Sequence, residues 1–420
     1  MKNIFFLLIL LTINNLDYSK KTNGDILIEW GRNNSVYISN KIKLNYTNEN
    51  TKNFYVKKKI NVNEILISVP QNLFLNIDSA LRLSSSKTKK QLEKYKTQKL
   101  KETLNNSSEL FHQRIENSFL AYIITMANLN KSPKNKLYQL YQYFFETCET
   151  NFDNNPLFFS TDQIRPFLFS LLGKEIIQTR EAFEEEYITL QSQITKNKFD
   201  LDEYIKYRLF TYNKLVNMTG TSSIIPFFDI IDTNPVSFNL KINYDTKNQT
   251  LNLYAINEIK HGQKLLLAVV QMTNMGSFIT YGKTYDENKN FLESFKIAEI
   301  SALFLKEKNL NPMLANSNLI DLMKPRFYED AIPNYIELSK MMKGDGSSVS
   351  ALKLLIENIE SLRRQYDEVT MSVLMKNFFD LKVVENIKSI LDTEKNFLDK
   401  KLRDLRKILS YVDKEKKSDL

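Results

Sequence analysis

A chain of 420 residues, 42% hydrophobic and 25% charged, is long enough for two or three domains and has ordinary globular content. Nine Gly and nine Pro are too few for a β-sandwich full of tight turns or for long disordered linkers. The net charge of +9 permits an anionic partner, but in a chain so rich in Lys and Asn it reads first as a solvated lysine surface. One cysteine, Cys148, excludes an intramolecular disulfide and a thiolate metal site. The two histidines, His112 and His261, stand in no H-x-x-x-H or H-x-E pattern, which removes His-based zinc hydrolases and speaks against a Ser-His-Asp triad. Neither G-x-x-x-x-G-K-[ST] nor G-x-G-x-x-G occurs, so P-loop and Rossmann chemistry have no support.

In chain order, Lys2 precedes an apolar run, Ile4–Ile13, broken only by Thr12. At about ten residues it is too short to span a bilayer and has the form of a signal-peptide h-region. A signal over residues 1–19 and a secretory localisation are expected; the alternative is an edge element of a cytoplasmic protein. Asp25–Ser39 predicts a short amphipathic helix ending near Gly31, then a brief strand. Leu44–Ile60 predicts a hairpin. Lys57–Pro70 predicts a charged turn and a β-branched strand ending at Pro70. Lys87–Leu104 predicts an exposed basic helix or a flexible segment. Leu110–Leu129 and Lys136–Glu149 predict helices, the first with Phe119, Tyr122, Ile123 and Met126 on one face.

Ile164–Leu172 predicts a helix that Gly173 stops. Ile176–Lys196 predicts a long helix whose Glu184, Glu185 and Glu186 lie on a solvated face. Leu201–Val216 predicts an aromatic-rich helix. Strands return in the stretch from Ile224 to Gly282. It begins I-I-P-F-F-D-I-I-D-T-N-P and continues through a charged turn at Lys260–Gln263. A buried strand Leu265–Val270 and the apolar F-I-T-Y-G at 278–282 complete it. Beyond Asn290 the texture is helical throughout. Leu352, Leu355, Ile356, Ile359, Leu362 and Tyr366 recur at helical spacing, as do Val384, Ile387, Leu391, Leu398, Leu402, Leu405 and Leu409. These helices predict a packed bundle without a catalytic constellation.

N-E-I-L-I-S-V-P ending at Pro70, P-L-F-F-S at 156–160, P-F-F-D-I-I-D-T-N-P at 226–235 and Glu394-Lys395 with Phe397-Leu398 come in an order that resembles the SET-domain protein methyltransferases of the RuBisCO large-subunit methyltransferase type. N-E-I-L-I-S-V-P, ending at Pro70, resembles the family's first strand pair. P-L-F-F-S at 156–160, Leu171-Leu172-Gly173 and the glutamate-rich helix resemble its insertion. P-F-F-D-I-I-D-T-N-P, Ala255–Gln263, Asn274 and Tyr281-Gly282 follow its second half, and Glu394-Lys395 with Phe397-Leu398 resembles its C-terminal domain. The resemblance covers most of residues 24–410. It implies an α+β fold: a SET-type β core split by a helical insertion, then an all-helical C-terminal domain. The implied divisions are a signal at 1–19, core at 20–84, insertion at 85–216, core at 217–290 and a substrate-binding-like domain at 291–420.

The resemblance also implies where a methyl donor, S-adenosyl-L-methionine, and a protein lysine would sit. Methyl transfer is an in-line displacement that needs an aligned neutral amine and a bound sulfonium. The family's G-x-G turn falls on Thr51-Lys52-Asn53, followed by Phe54. Its Arg falls on Lys214, without the planar fork. Its Asn-His pair falls on Asp232-Thr233, and its aligning Tyr on Val269, which has no hydroxyl. The cofactor-binding positions are therefore Asn53, Phe54, Lys214, Asp232 and Thr233, all substituted. Three readings follow. One is a protein-binding pseudo-methyltransferase without a cofactor. Another is an active protein-lysine N-methyltransferase that uses S-adenosyl-L-methionine and aligns its substrate with Tyr281. The last is an interaction protein with only architectural likeness to the family. In each the partner is a protein; no nucleic acid, metal or transmembrane span is expected.

Overall fold

The computed structural model describes residues 23–418 apart from 48–50, 84–85, 103–108, 130–137, 139–140, 142–151, 153, 195–198, 219–220, 235–236, 269–272, 286–294, 299, 312–314, 316–318, 325, 343 and 378–379. The expected signal at 1–19, Cys148 and Val269 lie outside the described residues, as does most of 136–149. The chain divides into two compact units, Met1–Phe152 with Ala182–Gln271, and Asp153–Glu181 with Met272–Leu420.

The first unit opens with helix α1 (Asn23–Asn33) and strands β1 (Tyr37–Ile38), β2 (Ile42–Thr47), β3 (Thr51–Val56) and β4 (Ile65–Pro70). Helices α2 (Ile77–Leu83), α3 (Ser86–Glu102), α4 (Glu109–Leu129), the end of α5 (Leu171–Ile194) and α6 (Leu201–Lys214) form the insertion. Strands β5 (Leu215–Met218), β6 (Thr221–Ile224), β7 (Asp232–Thr233), β8 (Leu240–Asp245), β9 (Thr250–Ala255) and β10 (Leu266–Leu267) complete it. The main sheet has the order β1-β4-β9-β8-β10-β7. Strand β4 is antiparallel to β1 and β9, whereas β10 runs parallel to β8 and β7. Of the expected strand Leu265–Val270, Leu266 and Leu267 join this sheet, and 269–270 lie outside the described residues. The hairpins β2–β3 and β5–β6 stand apart from this sheet.

The sheet forms where β-branched and apolar residues can bury one face. Leu66, Ile67, Val69, Leu251 and Leu253 are all buried in one core with Phe54, Ile225 and Phe227. Phe227 is fully buried at φ +72°, a conformation rare for a bulky residue. Its ring lies over Gly31 so closely that a Cβ there would stand 2.4 Å from Phe227 Cζ. Gly31 therefore serves packing, and α1 continues past it to Asn33.

The insertion carries a second core around Leu92, Tyr95, Phe119, Tyr122, Tyr204 and Phe210. The basic helix α3 is amphipathic: Leu92 and Tyr95 are buried, while Lys87, Lys90 and Lys94 are exposed. Glu186 corrects a second expectation. It is buried, and it accepts from Arg208 Nε at 2.9 Å and from Tyr204 at 3.2 Å. Burial works against the Arg208 charge, but Glu186, Tyr204 and Tyr95 together outweigh it and hold the guanidinium above its usual range.

The second unit contains a turn at Pro156–Phe158, the capped helix Thr161–Ile164 and the start of α5. It continues with α7 (Asn274–Tyr281), β11 (Lys296–Ala298), α8 (Ala302–Glu307), β12 (Leu319–Asp321), α9 (Phe327–Met341), α10 (Ser348–Glu368), α11 (Met371–Asn377) and α12 (Leu381–Ser418). The region beyond Asn290 is thus not helical throughout, because β11 and β12 pair antiparallel. Nor does Gly173 stop a helix. It is the third residue of α5, where a Cβ would stand 2.4 Å from the Phe167 carbonyl oxygen.

The start of α5 is built by two acceptors. Ser170 Oγ accepts from Gly173 N–H at 3.1 Å. The Glu394 carboxylate of α12 accepts from Leu171 N–H and Leu172 N–H, each at 3.1 Å, and from Tyr366 Oη at 2.6 Å. These bonds satisfy amides that an α-helix leaves open at its N-terminus, and the anion suits the helix dipole. Glu394 is completely buried. Burial pushes its pKa up, while Tyr366, the two amides and the Lys174 ammonium pull it down; burial prevails, at about 7. Tyr366 is in turn held well above its usual range by burial and by Glu394.

A folded-state pKa above the ordinary 4.5 means that folding favours the neutral acid. The contribution is whole below about 4.5 and is lost as pH rises through about 7. Thermal melting followed by calorimetry at pH values across this window should show the second unit losing stability on the alkaline side. Glu394→Gln, which keeps an acceptor but cannot ionise, should flatten that slope; an unchanged slope would remove Glu394 as its source.

Candidate functional site

The donor positions implied by the resemblance all fall in the first unit, on three elements. Asn53 and Phe54 lie on β3, Lys214 ends α6, and Asp232 and Thr233 are the whole of β7. Four bonded links gather them. The Phe54 carbonyl accepts from Leu265 N–H at 2.9 Å, and Val56 N–H donates to the Gln263 carbonyl at 3.0 Å, so β3 runs beside residues 263–265. Lys264, within that segment, forms an ion pair with Asp232. The Lys214 ammonium donates to the Asp229 carbonyl at 2.5 Å, which ties the end of α6 to the buried stretch just before β7.

Local chemistry explains each placement. Thr51-Lys52-Asn53 contains no glycine and joins the regular ladder of a hairpin, with Asn53 opposite Asn45 and Lys52 opposite Tyr46. Phe54 is a core residue. Asp232 and Thr233 are held by parallel pairing to Leu266 and Leu267. The Asp232–Lys264 pair is about one-third exposed on both sides, which places it at a solvent-accessible rim. Lys264 escaped the sequence reading. Its partner lies 32 positions away, and only the β7–β10 register brings the two together.

Asn53 carries the one orphan of the set. Its side-chain oxygen is buried and has no hydrogen-bond partner among the described residues. A buried unsatisfied acceptor costs about 1–3 kcal/mol.

Tyr281 belongs to the second unit, where F-I-T-Y-G forms a short helix. Thr273 caps α7 by accepting from Gly276 N–H at 2.9 Å. Gly282 closes it in the left-handed region at φ +68°, its N–H on the Phe278 carbonyl at 2.8 Å. Tyr281 is half-buried in the last turn. Asn274 braces the following turn: its Oδ1 accepts from Tyr285 N–H at 3.0 Å and its Nδ2 donates to the Tyr285 carbonyl at 3.2 Å. Asn155 holds the same helix from below, donating to the Ile279 carbonyl at 2.8 Å. Among the described residues no group of three or more His, Cys, Asp or Glu side chains comes together. No described helix is long and apolar enough to cross a membrane.

No protein-family model matches the sequence, and no curated protein matches it. Solved structures do. The SET domain of LSMT bound to lysine and AdoHcy superposes with a TM-score of 0.58 at 13% identity, covering 92% of this chain and 93% of that one. Rubisco LSMT bound to AdoMet gives 0.54 at 13% identity, with coverage of 92% and 93%. Rubisco LSMT bound to sinefungin and monomethyllysine gives 0.53 at 14% identity, again covering 92% and 93%. The chain therefore has the SET fold. Its sheet core, helical insertion and helical C-terminal region follow the arrangement of Rubisco LSMT, as the resemblance in the sequence implied.

Asn53→Val removes the orphan oxygen and places a β-branched residue in a strand. Chemical denaturation of the protein without added ligand should then show a gain of about 1–2 kcal/mol, by relief of the desolvation penalty. A loss of stability instead would mean that the Asn53 amide is satisfied in solution.

Proposed function

We propose that this protein is a protein-binding member of the SET fold that does not turn over S-adenosyl-L-methionine. The ion pair between Asp232 and Lys264 carries the reading. It stands where the resemblance expects an Asn-His pair, and it commits the Asp232 carboxylate to the Lys264 ammonium, so those polar groups are already taken up within the chain. The other substitutions support the same view. The Thr51–Asn53 strand has no glycine to let a cofactor approach the backbone closely. The Lys214 ammonium is taken up by the Asp229 carbonyl. Together these residues do not fit the donor in the manner that the resemblance implies.

The orphan Asn53 oxygen supports the competing reading, an active protein-lysine N-methyltransferase with Tyr281 aligning the amine, because it leaves one buried acceptor for a ligand. The neighbours bound to AdoMet and AdoHcy lend this reading the same general support. Calorimetry with S-adenosylhomocysteine separates the two. No heat of binding at micromolar concentrations is expected. Micromolar affinity would sink the pseudo-methyltransferase reading, and Tyr281→Phe should then abolish methylation of a protein substrate.

The partner is a protein in both cases. We also propose a secretory route, on the strength of the Ile4–Ile13 run. N-terminal sequencing of the mature chain from its native cell should begin near residue 20; recovery of Met1 would end that proposal.

A further inference from the structure

Helix α3 turns a row of lysines to solvent. Lys87, Lys90 and Lys94 follow one another at spacings of three and four residues, which sets them on one side of the helix along about 10 Å of its axis. All three are exposed, and so is Lys89 beside them. The other side of the helix is already in use. Leu92 and Tyr95 are buried in the insertion core, and Tyr95 Oη lies 3.0 Å from Ser118 Oγ of α4.

The row is not neutralised from within. Among the described residues no carboxylate forms an ion pair with Lys87, Lys89, Lys90 or Lys94. Glu93 is the only acid among the described side chains of α3, and it stands within one turn of both Lys89 and Lys90. At the same helical spacings Lys206 pairs with Glu203, Lys340 with Glu337 and Lys388 with Asp392. Like charges one turn apart destabilise a helix, so α3 carries this row against its own stability. An anion laid along it removes that repulsion.

The chemistry of the row selects the anion. An ammonium is a point charge without the planar fork that grips a phosphate through two bonds, and α3 contains no arginine. Its one aromatic ring, Tyr95, is buried and offers no platform on which a base could stack. Leu92 and Tyr95 both serve the core, so they are not offered to a bilayer. A run of carboxylates fits what is left.

We propose that the row of Lys87, Lys90 and Lys94 docks an acidic segment of a partner protein, whose Asp or Glu carboxylates meet the three ammoniums. Exposed charges are screened beyond about 8 Å at physiological salt, so the contacts act at close range, and complementary charge speeds and orients the encounter. The proposal rests on the reading of the protein as a binder of other proteins and assigns that binding a place and a chemistry.

The test uses the full-length protein and a fluorescently labelled decaglutamate peptide, with binding read by anisotropy at rising sodium chloride. Micromolar binding at low salt that weakens steadily as salt is added is expected. Lys87→Gln, Lys90→Gln and Lys94→Gln combined keep a good helix former at each position and should weaken binding at least tenfold. Lys306→Gln, Lys353→Gln and Lys407→Gln combined change the net charge equally on exposed lysines elsewhere and should weaken it less than twofold. Arginine at the three row positions should keep binding, because it keeps the charge. Hydrogen exchange along α3 should slow when the peptide is added. Equal loss in the two glutamine variants, no binding at low salt, or tighter row-dependent binding of a decathymidylate or of phosphatidylserine vesicles would overturn the proposal. Micromolar binding of S-adenosylhomocysteine with peptide binding intact would overturn only the pseudo-methyltransferase reading.

Discussion

The pairing of Ile65–Pro70 with Thr250–Ala255 is the constraint on which the first unit depends. These strands are neighbours in the sheet, yet the helical insertion and both β5 and β6 lie between them in the chain. Loop-closure entropy grows only slowly with length, so the long detour is tolerable. It becomes cheaper still because the insertion has a core of its own around Phe119 and Tyr204. The rest of the sheet is reached through β9: β8 pairs with it, β10 with β8, and β7 with β10. The two-residue strand Asp232–Thr233 thus owes its position to contacts that begin at Pro70.

Much of this architecture was legible because hydrophobic pattern is local. N-E-I-L-I-S-V-P announces a strand with Leu66, Ile67 and Val69 inside, and the heptad-like spacing of Leu352 to Tyr366 announces α10. Misreadings fell where a residue answers to something distant. Gly173 looked like a terminator, but it is required by the Phe167 carbonyl that a Cβ would strike. Glu186 looked solvated, but Arg208 on another helix draws it inside. The basic helix α3 looked exposed because lysines outnumber the two residues, Leu92 and Tyr95, that anchor it. F-I-T-Y-G has the composition of a strand, and its helical form depends on the Thr273 cap and the left-handed Gly282.

The proposed donor site rests on positions taken from chain order, and the contacts those positions make were not legible there. Substituted residues at 53, 214, 232 and 233 could be named from order alone. The lysine that neutralises Asp232 and the carbonyl that takes up Lys214 are matters of strand register and helix ending. Asn53 is the place where local and global demands disagree: a carboxamide oxygen buried in a strand without a partner. Such conflicts collect where a fold has held, or still holds, something besides itself.

The buried carboxyl at the start of α5 has a kinetic side. Glu394 has no exposed surface, and its carboxyl lies on the Leu171 and Leu172 amides and the Tyr366 hydroxyl. A proton can join or leave it only when that packing opens, and such local openings have their own free energies. Where opening is slow, its protonation would lag a sudden change of acidity, and the side chain would report on the breathing of the helices around it.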